Sequence, residues 1–441
     1  MDAFWLAVYP ALAALAIVQA ILIVAQTWEH RRYARRRLAE AARAQPIGRA
    51  LLVIPCRGCE IGLEEHLAAL LQQDYGDYQV RFVVESADDP ACAPIRRVMA
   101  AHPEVRAELI VAGLATCEGQ KVHNLRAATA DVPPEVEYLA FVDSDARLRP
   151  HWLRVLIGQL GRAEVGATTG YRWFIPLRPS LADHLVYSIN VSTAVWLAAK
   201  VHHMVWGGSW AMRRETFESL GVRDAWQGTL SDDLVAARVL GQSRRRVVFE
   251  PGCVVESPSR MAFAEMFRFV RRQYLIGRLY APGWWAFALG SLGLANAGLA
   301  INLVALGAAL VTGRPPVGLA AGMLAGLLAL YGVRGWLRRD LALLYFPDRA
   351  GAMQEAVRWD TWAGPLAALF NWLAMLAALV GRHVAWRGIH YRLQPGGKVC
   401  AVWRDQQGGG AAGRATPPKD RAEQDDDGRR AESARRYRKA G

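Results

Sequence analysis

The apolar positions of the chain are concentrated in four long stretches that contain no charged residue, at 3–28, 279–313, 315–333 and 361–381. An α-helix rises 1.5 Å per residue and the hydrocarbon core of a bilayer is about 30 Å thick. Each stretch is therefore long enough to span a membrane. We predict an N-terminal anchor over 3–28, spans over about 284–311, 315–335 and 361–381, and an interfacial segment over 336–360.

The anchor is followed by an arginine-rich segment, residues 29–37, and is preceded by Met1-Asp2 rather than by a basic region. This order differs from that of a cleaved signal peptide. Because arginines concentrate on the cytoplasmic side of membrane proteins, the segment after the anchor is expected in the cytoplasm. We expect an integral membrane protein whose large polar domain is cytoplasmic, in a bacterial inner membrane.

The C-terminal part gives conflicting signals about its side of the membrane. Three spans after a cytoplasmic domain would place residue 382 onward outside, whereas Arg382, Arg387 and Arg392 favour the cytoplasm. Either 361–381 re-enters the membrane or one of the segments only lies on its surface. The final residues, 404–441, are rich in glycine and charge and are predicted to be a disordered tail.

Between the anchor and the next apolar stretch, residues 48–278 have ordinary polar content. Short apolar runs at 50–55, 79–85, 107–111 and 136–142 alternate with segments of helical spacing. Strands alternating with helices predict an α/β domain with a mostly parallel sheet.

Two of the predicted strands end in acidic residues: Glu85, Asp88 and Asp89 after one, and Asp143 and Asp145 after the other. Ligands of such sheets bind beyond the carboxyl ends of the strands. Paired carboxylates suit Mg²⁺ or Mn²⁺, which bind a few carboxylates together with substrate phosphates. The alternative for Asp143-Ser144-Asp145 is an ordinary turn, and both interpretations carry about equal weight.

Two further groups have a structural and a chemical interpretation. A predicted helix begins near Ser231-Asp232-Asp233, where either Ser231 or Asp232 is an N-cap or one of the carboxylates is a general base. Arg271-Arg272-Gln273 precedes the apolar stretch at 279–313. Its arginines either mark the cytoplasmic side of the membrane or bind a diphosphate.

Composition narrows the class of protein. The chain has 441 residues, is 53% hydrophobic and 21% charged, and has a net charge of +13 with six cysteines. Six cysteines in this length exclude a disulfide scaffold. A nucleic-acid-binding protein is disfavoured, because the arginines lie at membrane boundaries rather than on one soluble face.

Taken in order, the motifs resemble the family-2-type membrane glycosyltransferases and are most similar to the ceramide glucosyltransferase branch. The family's Gln-x-x-Arg-Trp is represented only by Arg271-Arg272-Gln273-Tyr274, so which arginine faces a phosphate stays open. The matching segments are 55–58, 86–91, 119–125, 143–145, 207–213, 232–233 and 386–393.

The resemblance implies a GT-A fold and inverting transfer of one sugar from a nucleotide sugar, expected to be UDP-linked, to the hydroxyl of a ceramide-like, diacylglycerol or hopanoid lipid. Asp233 is the implied base, with Asp232 beside it, and Asp143 and Asp145 the implied metal ligands for Mg²⁺ or Mn²⁺. The implied acceptor-site residues are Gly208, Ser209 and Trp210. The implied donor-binding residues are Glu85, Asp88, Asp89, Lys121, Asp143, Arg271, Arg272 and Gln273.

Two alternatives remain at this point. A processive polysaccharide synthase is the nearest enzymatic one. The other is a non-catalytic membrane scaffold with a degenerate transferase domain, whose basic segments bind anionic lipid or a partner.

Overall fold

The computed structural model describes residues 4–41, 43–59, 62–198 and 204–405. After a short π-helix, Phe4–Val8, the first α-helix, α1, runs over Tyr9–Ala41 and thus continues well beyond the apolar stretch. Residues 406–441, nearly all of the predicted disordered tail, lie outside the described residues.

The central domain contains a seven-stranded sheet in the order β3-β2-β1-β4-β6-β5-β7. Only β6 is antiparallel to its neighbours, β4 and β5. This confirms the prediction of a mostly parallel α/β sheet. The strands are β1 (Arg49–Pro55), β2 (Tyr78–Val84), β3 (Arg106–Val111), β4 (Val136–Val142), β5 (Val165–Pro176), β6 (Ser209–Arg213) and β7 (Arg246–Ser259).

Helices cover both faces of this sheet, which explains why its central strands are continuous apolar runs. In β1, Leu52 and Ile54 pack into one core with the helices at Leu63–Leu71 and Cys92–Ala101. Leu51 and Val53 pack into a second core with the helix at Gln120–Ala128. The helices of this domain are α2 (Leu63–Leu71), α3 (Cys92–Ala101), α4 (Gln120–Ala128), α5 (Trp152–Ile157), α6 (Leu181–Ala194), α7 (Arg214–Ser219), α8 (Val222–Ala225), α9 (Asp232–Gln242) and α10 (Phe263–Tyr280).

Three helices of the described chain are long and apolar enough to cross a membrane: α1, α11 (Pro282–Thr312) and α12 (Val317–Tyr345). The span predicted at 361–381 is wrong in that form. Its helix, α14 (Gly364–Ala377), begins with a proline in its first turn and has 14 residues. At 1.5 Å per residue it reaches only about 21 Å, short of a hydrocarbon core of about 30 Å.

The predicted interfacial segment at 336–360 also needs correction. Its first ten residues continue α12 without a break to Tyr345, and only the remainder forms a separate 3₁₀ turn, Pro347–Arg349, and helix α13, Ala350–Trp362.

A small antiparallel sheet that the sequence did not predict follows α14. Its strands are β8 (His383–Trp386), β9 (Ile389–Leu393) and β10 (Val399–Arg404). The amide of Val399 donates to the carbonyl of Gly228 at 2.9 Å, and the Arg387 side chain donates to the carbonyl of Arg57 at 2.7 Å. This sheet therefore packs directly on the α/β domain.

This arrangement is compatible with the arginines that follow α14. If α11 and α12 both cross the membrane, they cross in opposite directions, and the chain returns to the side of the α/β domain. The contacts of the small sheet require the same side.

We predict that the turn at 313–316 and Cys400 face opposite sides of the membrane. Cys59, Cys117 and Cys400 are exposed cysteines of the described chain and Arg314 is also exposed. With the three exposed cysteines replaced by serine, Arg314→Cys should react with an impermeant maleimide on one side of sealed membranes. A matched variant that retains only Cys400 should react on the other side. Labelling of both from the same side would contradict this topology.

Candidate active site

The site forms where strand pairing brings together two separate loops. Val142 at the end of β4 is paired with Ser209 at the start of β6, so the residues just beyond each strand are neighbours. The amide of Asp143 donates to the carbonyl of Gly208 at 3.3 Å. A side chain at Gly208 would lie 2.7 Å from a carboxylate oxygen of Asp143 and would overlap the ring of Trp206. Glycine is therefore required here for close approach.

The centre of the site is the ammonium group of Lys121, near the start of α4. Its Nζ lies 2.8 Å from Asp143 Oδ1 and 3.3 Å from Asp232 Oδ1. It also donates to the carbonyl of Gly207 at 3.0 Å. One lysine thus joins residues that follow β4, precede β6 and begin α9.

Charge pairing, rather than burial, sets the protonation of the lysine and of Asp143. Burial alone would lower the pKa of Lys121, but the carboxylates of Asp143, Asp232 and Asp233 raise it above its ordinary value. Burial would likewise raise the pKa of Asp143, but Lys121 and then Arg172 hold it below its usual range. Both groups are charged at neutral pH, which suits an ion pair in a partly dehydrated cleft.

Asp232 has a different environment. Its side chain is only 5% exposed, and Oδ2 is buried without a hydrogen-bond partner in the described part of the chain. Burial raises the pKa of Asp232 to about 7; Lys121 opposes this rise, whereas Asp233 and Asp143 add to it. The Asp232 carboxyl therefore binds a proton more readily than an ordinary aspartate does.

The carboxylate of Asp233 is held in a fixed orientation at the start of α9. Oδ2 accepts from the amide of Gly207 at 3.0 Å, and Oδ1 accepts from the amide of Leu234 at 2.7 Å and from the hydroxyl of Ser231. Ser231 is also the N-cap, because its hydroxyl accepts from the amide of Leu234. The capping interpretation thus belongs to Ser231, which leaves the two aspartates to face the cleft.

Three arginines from distant parts of the chain converge beside Asp143. Arg172 of β5 lies 3.6 Å from Asp143 Oδ2 and 5.1 Å above the ring of Trp206. Burial, followed by the charges of Arg172 and Arg387, lowers the pKa of Arg272 to about 10. Arg272 has no carboxylate within 4.0 Å among the described residues, and an anion beside it would offset the repulsion from Arg172 and Arg387.

Arg387 reaches this corner from the tip of the β8–β9 hairpin. Arg387 and Gly388 have φ angles of 50° and 71°, the backbone signs of a type I′ two-residue turn. The ring of the preceding residue, Trp386, lies 5.7 Å from the guanidinium of Arg272.

The predicted residues of α10 separate into two roles. Arg272 and Gln273 line the cleft. Arg271 instead donates to the carbonyls of Ala377 at 2.8 Å and Val380 at 3.1 Å, and so joins α10 to the end of α14.

The acidic residues after β2 lie two strands from Asp143. Glu85 pairs with Arg57 at 3.0 Å, and Asp88 is exposed. Asp89 is buried, and one of its oxygens accepts from the amide of Gly58 at 2.8 Å, which ties this loop to the end of β1.

The structure does not bring Ser209 and Trp210 to the cleft. The Ser209 hydroxyl accepts from the indole of Trp152 at 2.8 Å, and Trp210 is fully buried against Phe141 with ring centroids 4.4 Å apart. Of the three predicted acceptor-site residues, only Gly208 lines the cleft.

The cleft opens into a cavity of about 1570 Å³ that continues between α1, α11, α12 and α14. Asp143, Asp145, Lys121, Asp232 and Asp233 lie on its wall, and residues such as Gln19, Ser291 and Tyr331 line the part between the long helices. One cavity therefore connects the charged cluster to the membrane-spanning region.

Residues 10–399 match the model of glycosyl transferase family 21, and the chain belongs to this family. It is a glycosyltransferase with a GT-A fold that uses a nucleotide sugar, which agrees with the resemblance found from the motifs.

Among solved structures, the chain is similar to the mannosyltransferase PcManGT from Pyrobaculum calidifontis in complex with GDP-Man and Mn²⁺, at 19% identity over 82% of this chain and 99% of that one, with a TM-score of 0.46. It is also similar to glucosyl-3-phosphoglycerate synthase from Mycobacterium tuberculosis in complex with phosphoglyceric acid, at 14% identity over 54% and 81%, with a TM-score of 0.34. Superpositions this distant carry no weight beside the match to family 21.

We predict that Gly208→Ala lowers kcat about 10²-fold, because the added methyl displaces Asp143 or Trp206 by a fraction of an ångström to an ångström. The matched control is Gly241→Ala in α9, where a side chain meets nothing within 4 Å. The measurement is the rate of sugar transfer, with thermal unfolding as the check on folding. Equal rates for the two variants would contradict the close approach at Gly208.

Proposed function

We propose that this protein transfers one sugar, with inversion, from a UDP-linked sugar to the hydroxyl of a membrane lipid at the cytoplasmic face of a bacterial inner membrane. The observation that carries the proposal is the single cavity that joins the Lys121 cluster to the space between the long helices. A polar donor enters from the α/β domain and an apolar acceptor from the bilayer. A ceramide-like, diacylglycerol or hopanoid alcohol fits this description.

The donor diphosphate is proposed to lie between Asp145 and the corner formed by Arg172, Arg272 and Arg387. The mutual repulsion of these arginines around Arg272 supports this position, because guanidinium groups bind phosphate oxygens through paired hydrogen bonds. Glu85, Asp88 and Asp89 extend the site toward the nucleoside, with Gln273 beside the diphosphate.

The proposed divalent cation is held by Asp143 and Asp145 together with the phosphates of the donor. No group of three or more ligating side chains occurs in the described part of the chain, so the protein alone does not form a closed metal cage. Mg²⁺ and Mn²⁺ are commonly held by one or two carboxylates and the phosphates of the substrate. Such an ion, held by Asp143 and Asp145, would neutralise charge on the leaving diphosphate.

Asp233 is proposed as the general base. Its carboxylate accepts the proton of the acceptor hydroxyl while that oxygen bonds to the anomeric carbon, and the bond from this carbon to the diphosphate breaks with its electron pair leaving on the nucleotide. The hydrogen bonds from Gly207 and Leu234 fix the orientation of the carboxylate. Lys121 and the arginines stabilise the departing charge.

The two alternatives make different predictions. A processive synthase would give long products, whereas the absence of the Trp after Arg271-Arg272 and the small number of spans favour one sugar per lipid. A non-catalytic scaffold would release no UDP from any donor. The retained acidic residues Asp143, Asp145 and Asp233 favour the enzyme.

We predict that Asp233→Asn lowers the transfer rate by about 10²–10⁴-fold, the usual effect of removing a general base, without weakening nucleotide binding. Asp224→Asn, an exposed aspartate of α8, is the control and should retain the wild-type rate. Transfer is followed by mass detection of the glycolipid and binding by calorimetry with UDP. Wild-type turnover by Asp233→Asn would rule out this base.

We also predict that chelation of divalent cations abolishes transfer and that added Mn²⁺ or Mg²⁺ restores it. Asp145→Asn should need a higher metal concentration for half-maximal rate, because one charged oxygen ligand is lost. Asp348→Asn, in the turn after α12, serves as the control. Full activity in excess chelator would exclude the metal site.

A further inference from the structure

Two aromatic rings that the proposed chemistry does not use lie against the guanidinium of Arg172. Its central carbon is 5.1 Å from the centre of the Trp206 ring and 5.5 Å from that of the Phe174 ring. The Arg172 side chain is only 17% exposed, and its Nε is buried without a hydrogen-bond partner in the described part of the chain. The carboxylate of Asp143 lies 3.6 Å away, which is longer than an ordinary hydrogen bond. The rings are therefore the close neighbours that hold this arginine in place.

Arg272, on α10, is flanked in the same way. Its guanidinium carbon lies 5.4 Å from the Phe269 ring and 5.7 Å from the Trp386 ring, and the guanidinium donates to the carbonyl of Ala385 at 3.4 Å. Phe269 also meets Phe174 edge to face, with ring centroids 5.8 Å apart. The contacts thus join six side chains into one continuous series. We call this series the aromatic ladder; in order it contains Trp206, Arg172, Phe174, Phe269, Arg272 and Trp386.

The aromatic ladder runs along the wall of the cavity, and all six of its side chains line it. They come from four separate parts of the chain: the loop before β6, strand β5, helix α10 and the β8–β9 hairpin. One end of the series, Trp206, is fixed by its amide, which donates to the hydroxyl of Thr169 at 3.0 Å, and by an edge-to-face contact with Tyr171. The other end, Trp386, lies at the hairpin that carries Arg387.

An aromatic ring can hold a guanidinium without using the hydrogen-bond donors of that group. The attraction is between the positive charge and the electron-rich face of the ring, so the N–H groups stay available to a ligand. A carboxylate in the same place would instead accept two of them. Arginines that are held by rings are therefore suited to binding an anion that comes and goes.

We propose that the rings of the aromatic ladder are positioning residues for the donor, which hold Arg172 and Arg272 at a fixed separation so that both bind its diphosphate. The inference rests on the proposed function, since it takes the diphosphate as the anion of this corner. Trp206 directly precedes Gly207, whose amide binds Asp233 at 3.0 Å. The same ladder thus sets the position of the leaving group relative to the general base.

The test measures binding of UDP and of inorganic pyrophosphate to the purified full-length chain in detergent, by calorimetry with Mg²⁺ present throughout. Trp206→Leu and Trp386→Leu should each weaken both ligands by about 3- to 30-fold, the effect of one lost cation–π contact. Trp206→Phe and Trp386→Phe should retain most of the affinity, because they keep an aromatic face. Trp362→Leu, at an 83% exposed position of α13, is the control and should bind like wild type.

Double variants separate positioning from a general loss of structure. Arg172→Gln combined with Trp206→Leu should weaken pyrophosphate binding no more than Arg172→Gln alone, because the ring acts through that arginine. Arg172→Gln combined with Trp386→Leu should weaken it further, because Trp386 contacts Arg272 instead. Losses that add in both combinations would show that Trp206 acts independently of Arg172 and would overturn its positioning role. Thermal unfolding of every variant is measured in parallel.

Other results would also overturn the proposal. They are wild-type affinity for pyrophosphate in both leucine variants, weakened binding of UDP alone, and a wild-type protein that binds neither ligand. The second result would mean that the rings contact the nucleoside and not the diphosphate. Failure of the proposed function gives a different outcome: no lipid accepts a sugar, although pyrophosphate binding still depends on Trp206 and Trp386.

Discussion

The ion pairs of Lys121 are the constraint on which the rest of the site depends. A buried ammonium 2.8 Å from Asp143 and 3.3 Å from Asp232 must remain charged, and each carboxylate needs it in turn. Lys121 lies in the first turn of α4, Asp143 directly follows β4, and Asp232 begins α9. Their mutual neutralisation therefore fixes three elements against one another and sets the position of the loop at Gly207.

The raised pKa of Asp232 follows from the same contacts. Burial raises the pKa of Asp232 to about 7, and Lys121, which also pairs with Asp143, opposes this rise only in part. Asp233 is held by hydrogen bonds from Gly207 and Leu234 instead. These hydrogen bonds hold the Asp233 carboxylate in one orientation, as a group that accepts a proton in a reaction requires.

Local sequence patterns predicted β1 to β4 and the acidic residues that follow β2 and β4. An apolar run such as Leu51–Ile54 indicates a buried strand even when the neighbouring strands are unknown. Arg172 had no comparable signal, and Arg387 was marked only as part of the motif at 386–393, without a role. One lies in the long strand β5 and the other at the tip of a hairpin, and only tertiary packing brings them to Asp143. The uncharged composition of 361–381 predicted a longer helix than the 14 residues of α14. The Gly364-Pro365 pair that starts α14 was the available sign of a break, since proline favours the first turn of a helix.

The short length of α14 determines on which side of the membrane the C-terminal part is expected. With three crossings, the hairpin that carries Arg387 lies on the same side as the strands that carry Asp143 and Arg172. With four it could not reach them. If α1, α11 and α12 are the membrane crossings, their number is therefore linked to the side on which the Arg387 hairpin lies. Helix α10 joins the charged corner to these helices, because Arg272 faces the cavity on the helix that leads directly into α11.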